Sequence, residues 1–470
     1  MATISRTALR RVNSWASYSC LRRSSCSSQI KRSFRSCAPL ATDGVFRELT
    51  AVRVRTPWVE ALQRQRQEGT DPTKASGKSQ VAADRKLEPK RMSDSYHSVT
   101  LPLAQDPWLL DTYLNSSGHI RLGTIFMDLD ALSGVIAYKH TGDDVTTVTA
   151  SCDRITIKHP LTEICDLELS GKVTYATGRS SLEISMQVAK ALKEGEKVKD
   201  EDVMINCTFT MVSLDPGTKK PVNVNPLIVE TAEEKQLFKL GERNSKIRKE
   251  RNQTALIKHT PNDLESDLIH AFWQKHLQYH DPHDSLRQPE NVYFMDSTIL
   301  KTAMIMQPQF RNRHHFMIFG GFLLKQTFEL AFTCAAAFAH ARPTFVSLDP
   351  STFQNPVPVG SILYLTSTIV YTDPPLIGAP GEKVDPESKY TRVQVRVDSK
   401  VRDVEHGRSK PTGQFNYTFM VEKNIRVMPR SYQEFMMYLD ARRRAEQVKE
   451  SMGEEGPGLN PKVAEESVTE

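Results

Sequence analysis

The sequence lacks an uninterrupted apolar run of the roughly 18 to 20 residues that a membrane-crossing helix needs. Its richest candidate, residues 316–339, is broken by Lys325, Gln326 and Glu329, which predicts a helix buried in protein and no membrane span. Seven cysteines include no CxxC pair, so a zinc site of that kind is not expected and no metal is assigned. Cys152, Cys165, Cys207 and Cys334 are widely separated within apolar patterns and read as buried thiols. Neither GxGxxG nor a P-loop glycine motif occurs, which removes nucleotide cradles of those types. No GxSxG is present either, and with it goes the nucleophile elbow of an α/β-hydrolase.

Acid is missing from one stretch only. Residues 1–42 carry Arg6, Arg10, Arg11, Arg22, Arg23, Lys31, Arg32 and Arg35, ten serines and no Asp or Glu. They also lack the apolar core of a secretory signal, so the composition predicts a mitochondrial transit peptide and a matrix protein. A basic arm touching nucleic acid is the alternative. Outside this stretch 54 basic residues face 56 acidic ones, so the net charge of +6 belongs to the first 42 residues and no nucleic-acid partner is expected for the rest. With 470 residues, 39% of them hydrophobic and 25% charged, the chain suits two or three globular domains.

What is there is written twice. "LGTIFMDLDALSGVIAY" (122–138) aligns with "GGFLLKQTFELAFTCAA" (320–336) at an offset of 198, Gly123 meeting Gly321. "PLTEICDLELSGKVTYA" (160–176) aligns with "PVPVGSILYLTSTIVYT" (356–372) at 196, and "NCTFTMV" (206–212) with "NYTFMVE" (416–422) at 210. Each copy reads as a strand (96–103; 298–306), a loop, one long helix and then strands with period-two alternation, as in "LEISMQV" (182–188) and "TRVQVRV" (391–397). That order predicts an α+β unit. The second helix is apolar on most faces and is expected to be covered nearly all round by a curved antiparallel sheet.

The segments divide accordingly. Residues 1–42 are the transit peptide and 43–92 an N-terminal extension, partly disordered, with a helical "TPWVEALQRQRQ". Residues 93–213 form the first domain, 214–290 a linker with a charged helix near 231–256, and 291–425 the second domain. A closing helix (430–450) and an acidic, disordered tail complete 426–470.

On the first helix Leu122, Ile125, Phe126, Leu129, Leu132, Ser133 and Ile136 share a stripe, and Asp128 and Asp130 lie on its two shoulders. Read from the residues alone, these acids either touch solvent near the positive helix end or serve chemistry. Gly320-Gly321 likewise either cradles an anion or simply lets a buried helix begin.

The stretches "GHIRLGTIFMDLDALSGVIAYKH", "GRSSLEI" and "MQPQFRNRHHFMIFGGFLLKQTFELA" resemble the hotdog-fold acyl-CoA thioesterases, and specifically the double-hotdog mitochondrial acyl-CoA thioesterase 9 family, over roughly residues 90–425. The resemblance implies a tandem hotdog, hydrolysis of acyl-CoA to free acid and CoA, and assembly into a homo-oligomer. No cofactor is implied, because the CoA thioester is the substrate. In that family a catalytic acid follows the second helix-opening glycine by seven residues. From Gly123 this gives Asp130; from Gly321 it gives Phe328, so one copy keeps the acid and the other has lost it. Asp130 would then face Asn312, Arg313, His314, His315 and the Gly320-Gly321 amides of the other copy, as general base or nucleophile opposite an oxyanion site. Met317 stands where relatives often carry a polar helper, so Asn312, His314 or His315 would supply that function. Glu329 is an alternative acid. Arg179, Ser180 and Ser181, with Arg313, would meet the CoA phosphates. The competing reading is a non-catalytic acyl-CoA-binding or scaffold protein of the same fold.

Overall fold

Alternating apolar residues commit the strand segments to one buried face, and glycines at the mouths of two apolar runs let two helices begin in close quarters. The structure, a computed structural model, describes residues 57–68, 87–159, 164–192, 198–280, 283, 287–312, 317–378 and 388–455, all within one unit, 41–470. Its helices are α1 (Trp58–Glu68), α2 (Pro107–Tyr113), α3 (Leu122–Thr141), α4 (Ala232–Thr254), α5 (Asp263–His280), α6 (Gly320–Ala339) and α7 (Tyr432–Glu455). The helical segments expected at 231–256 and 430–450 correspond to α4 and α7. Helix α5, whose Leu268 and Phe272 are buried four residues apart, is an addition to the sequence reading of the linker.

A ten-stranded antiparallel sheet forms the frame. The first half contributes β1 (His97–Leu101), β2 (Thr146–Ile157), β3 (Leu167–Ala176), β4 (Ser181–Lys190) and β5 (Val203–Leu214). The second contributes β6 (Leu300–Ile305), β7 (Thr344–Phe353), β8 (Ile362–Asp373), β9 (Thr391–Arg402) and β10 (Ser409–Val421). Their spatial order is β1-β3-β4-β5-β2-β7-β10-β9-β8-β6, which reads alike from either edge. The halves join where β2 pairs with β7, Ile155 opposite Leu348 and Cys152 opposite Ser351.

Irregularities recur at matching places. Register shifts fall between Thr149 and Ser151 and between Phe345 and Ser347, and again between Val173 and Tyr175 and between Ile369 and Tyr371. Pairing also corrects the last sequence alignment. Thr149 opposes Met211 as Phe345 opposes Phe419, so Met211 matches Phe419 at an offset of 208, two less than expected. A two-residue slip keeps every side chain on its face, so alternation alone could not detect it.

Helices α3 and α6 lie together on one face of the sheet and carry much of the core. Coverage differs from the sequence expectation. Helix α3 is buried over nearly its whole length, whereas α6 leaves Thr333 and Ala337 exposed and Phe322, Leu330 and Phe332 half-buried. The reason is local: α2 packs over α3, but the corresponding segment before α6 forms only the three-residue turn Pro308–Phe310. By length and composition α6 could cross a membrane, yet half of it is buried inside the protein.

The opposite face of the sheet has its own cover. A capping box, Thr231 with Glu234, starts α4, and Gly241 lets that helix sit directly on Tyr175, where a Cβ would overlap the ring. Tyr438 of α7 meets Tyr371 edge-on at 5.2 Å, and Phe272 of α5 meets Tyr438 at 5.1 Å. A bidentate pair between Arg443 and Glu265, at 2.6 and 2.7 Å, ties α7 to α5.

Candidate active site

Both shoulder acids of α3 are buried, Asp128 at 0% and Asp130 at 1% exposure, which corrects the reading that they touch solvent. A buried carboxylate needs hydrogen-bond partners to offset lost hydration, and the fold supplies different ones on the two sides. Asp128 points under α2, where the Tyr113 hydroxyl donates to its Oδ2 at 2.5 Å. Asp130 points to the seam between the halves, where the Thr149 hydroxyl donates to its Oδ1 at 2.7 Å. Thr149 precedes the irregularity in β2 and is half-exposed, while the carboxylate that it holds is buried.

The other wall is the start of α6. A Cβ built on Gly320 would stand 3.2 Å from Asp130 Oδ2 and 3.6 Å from the Phe353 ring. On Gly321 it would stand 2.8 Å from the Met127 carbonyl oxygen and 3.0 Å from Asp130 Cβ. The two helices therefore meet almost backbone to backbone, a contact that glycine permits. Phe319 holds the N-cap position of α6 and provides no side-chain cap. The first-turn N–H groups of a helix lack intrahelical acceptors, so this end offers donors and a favourable dipole beside a carboxylate.

Asn312 is buried in the loop that leads into α6, which doubles back so that Asn312 N donates to Met317 O at 2.6 Å and Phe319 N to Phe310 O at 2.9 Å. Arg313, His314 and His315 lie outside the described residues. Arg179 and Ser181 are exposed at the turn between β3 and β4, with Ser180 half-buried between them. They are not brought to Asp130. The register runs Thr149, Met211, Leu182, Ala176 across four neighbouring strands, so the turn lies two to three strand spacings, roughly 10 to 14 Å, from Thr149. Among the described residues no three His, Cys, Asp or Glu side chains are grouped to hold a metal ion.

The matching place in the second half has a different character. A Cβ on Gly123 would stand 3.4 Å from the Phe328 ring, the counterpart of Gly321 against Asp130. Phe328 makes edge-on contacts with Phe126 at 5.2 Å and Phe345 at 5.4 Å, and Phe345 lies 5.8 Å from Phe419. Glu329, the alternative acid, is engaged by Arg121, whose Nε and Nη2 donate to its Oε1 at 2.9 and 2.5 Å. One half thus presents a carboxylate and the other a hydrocarbon plug.

Sequence reasoning missed Thr149. It stands in "VTTVTAS", where five β-branched residues announce a strand and nothing marks one threonine. Its counterpart Phe345, at the offset of 196 found for other blocks, was the available signal.

A long helix laid on one face of an antiparallel sheet agrees with the hotdog fold that the sequence resemblance implies. No family model matches the chain. Acyl-coenzyme A thioesterase 9, mitochondrial, of Homo sapiens is 36% identical over 369 residues, covering 76% of this chain and 78% of that protein. Acyl-coenzyme A thioesterase 10, mitochondrial, of Mus musculus is 34% identical over 372 residues, with the same coverage of 76% and 78%. Acyl-coenzyme A thioesterase 2, chloroplastic, of Humulus lupulus is 33% identical over 354 residues, covering 73% and 76%. A solved apo-hexameric acyl-CoA thioesterase aligns with 36% of this chain and 99% of its own at 29% identity and a TM-score of 0.30, too slight a likeness to carry weight. The chain belongs to the acyl-coenzyme A thioesterase 9 family, a family of thioester hydrolases.

Proposed function

We propose that the chain hydrolyses acyl-CoA to free acid and CoA at one site built between two tandem hotdog units, residues 93–213 and 291–425. The observation that carries this reading is Asp130 pressed against the start of α6, while Phe328 fills the matching position. The thioester carbonyl lies over the Gly320 and Gly321 amides, which stabilise the developing oxyanion; each such donor contributes on the order of 3 kcal/mol to lowering the barrier. Asp130 removes a proton from water as the water oxygen bonds to the carbonyl carbon. Collapse of the tetrahedral species breaks the C–S bond, and the proton passes from Asp130 to the departing CoA sulfur. Direct attack by Asp130, through an anhydride that water then cleaves, uses the same geometry. Asn312 serves as the polar helper, and Arg179, Ser180 and Ser181 receive the CoA phosphates. Residues 1–42 act as a transit peptide; their basic, acid-free composition and the mitochondrial names of the animal relatives support import into mitochondria.

Release of free thiol from acyl-CoA tests the reading. Asp130→Asn is expected to retain the fold and lose at least about 1,000-fold in kcat, and near-normal turnover would sink the assignment. In the same assay Arg179→Ala is expected to raise KM for acyl-CoA more than it lowers kcat. An unchanged KM would remove Arg179 from the site.

A further inference from the structure

Five rings close the second half's counterpart of the active site: Phe126, Phe328, Phe332, Phe345 and Phe419. Besides the contacts given above, Phe126 meets Phe345 at 5.5 Å, and Phe332 meets Phe419 at 6.1 Å. Helix offsets and strand pairing assign each ring a counterpart beside Asp130. Phe126 corresponds to Leu324, Phe328 to Asp130 and Phe332 to Gly134, all at the helix offset of 198. Phe345 corresponds to Thr149 and Phe419 to Met211, because the two pairs oppose each other identically across their strands.

Every aromatic ring is thus exchanged for a smaller or more flexible group. The exchange at Gly134 removes a side chain altogether, one helical turn beyond Asp130 and about 6 Å along the axis. At one exchange exposure rises as well: Phe345 is buried, whereas Thr149 is half-exposed. Met211 is buried on the face of β5 that turns toward α3, as its pairing with Thr149 requires. A flexible thioether suits a wall that must yield to chains of varying shape.

We infer that the acyl chain runs from Asp130 along α3 past Gly134, and that Met211 and Gly134 set the upper limit of its length. This rests on the thioesterase reading above. The rings that plug the second half show what fills the same space when no chain has to enter.

The test is kcat/KM across saturated acyl-CoAs from acetyl to palmitoyl, measured on the full chain with the fold followed by circular dichroism. Met211→Phe restores the ring found in the other half. It is expected to lower the ratio of long-chain to short-chain kcat/KM by about tenfold or more, the scale on which apolar pockets discriminate. Met211→Ala is expected to raise that ratio. If both folded variants shift every chain length by one common factor, the inference about Met211 and Gly134 is overturned while the thioesterase reading stands. A wild-type protein inert on every chain length overturns both.

Discussion

Gly321 and Asp130 belong to different halves of the chain yet pack directly together, with only 3.0 Å between Asp130 Cβ and the place where a Gly321 Cβ would stand. This contact brings an acid from one helix to the uncapped start of another. Neither half holds both groups, since the matching contact pairs Gly123 with Phe328.

Alanine at the two glycines is expected to separate folding from chemistry. At position 321 the added carbon would meet the Met127 carbonyl oxygen at 2.8 Å, and backbone cannot swing aside as a side-chain tip can. Gly321→Ala should cost about 1–3 kcal/mol or more and lower Tm by several degrees. At position 320 the nearest atom is Asp130 Oδ2, at 3.2 Å, so Gly320→Ala should spare Tm and depress kcat by displacing the carboxylate. Thermal melts with thiol-release kinetics check both. Equal effects in the two assays would argue against a catalytic seam here.

Thr149 positions Asp130 and, in the proposed mechanism, touches no reacting atom. Hydrogen bonds to charged groups are worth about 1.5–3 kcal/mol, so Thr149→Ala is expected to lower kcat about 10- to 100-fold. KM should change little, and Thr149→Ser should recover most of the loss because the hydroxyl returns. A serine variant as poor as the alanine variant would show that the methyl group, and hence packing, is what matters.

Glu183 gives the protein a pH dependence away from the proposed site. Its carboxyl is pushed up to about 7, first by burial and then by Asp153, against the pull of Arg248 and Asn244. Arg248 of α4 serves both acids, at 2.6 Å from Asp153 Oδ2 and 3.1 Å from Glu183 Oε2. The folded state therefore holds a proton that the unfolded chain releases near 4.5, so the Glu183 contribution falls as pH rises from about 4.5 to 7. The span corresponds to about 3 kcal/mol. Glu183→Gln, which cannot titrate, is expected to flatten the Tm decline between pH 5 and 8 relative to wild type. Parallel Tm profiles for the two proteins would remove Glu183 as the cause.

Much of this was legible in the sequence. Period-two alternation marked strands, 3.6-residue spacing marked α3, a glycine-led apolar run marked α6, and the offsets of 196 and 198 aligned the helices and strands of the two halves. The resemblance to the thioesterase family, with its acid seven residues beyond the helix-opening glycine, singled out Asp130 and Phe328. These features survive in one dimension because they are distances along the chain.

Pattern alone could not decide relations across the chain. Asp128 and Asp130 look equivalent on the shoulders of one helix, but α2 covers the first and the seam with α6 takes the second. Thr149 is one threonine among several until the irregularity in β2 sets its hydroxyl on Asp130. The last strand's register slipped by two residues in the alignment because such a slip leaves alternation intact, and hydrogen-bond pairing between strands settled it. Local sequence determined which groups exist and which face of an element they occupy. Tertiary packing decided which of them meet, because the cost of burying a carboxylate depends on partners tens to hundreds of residues away.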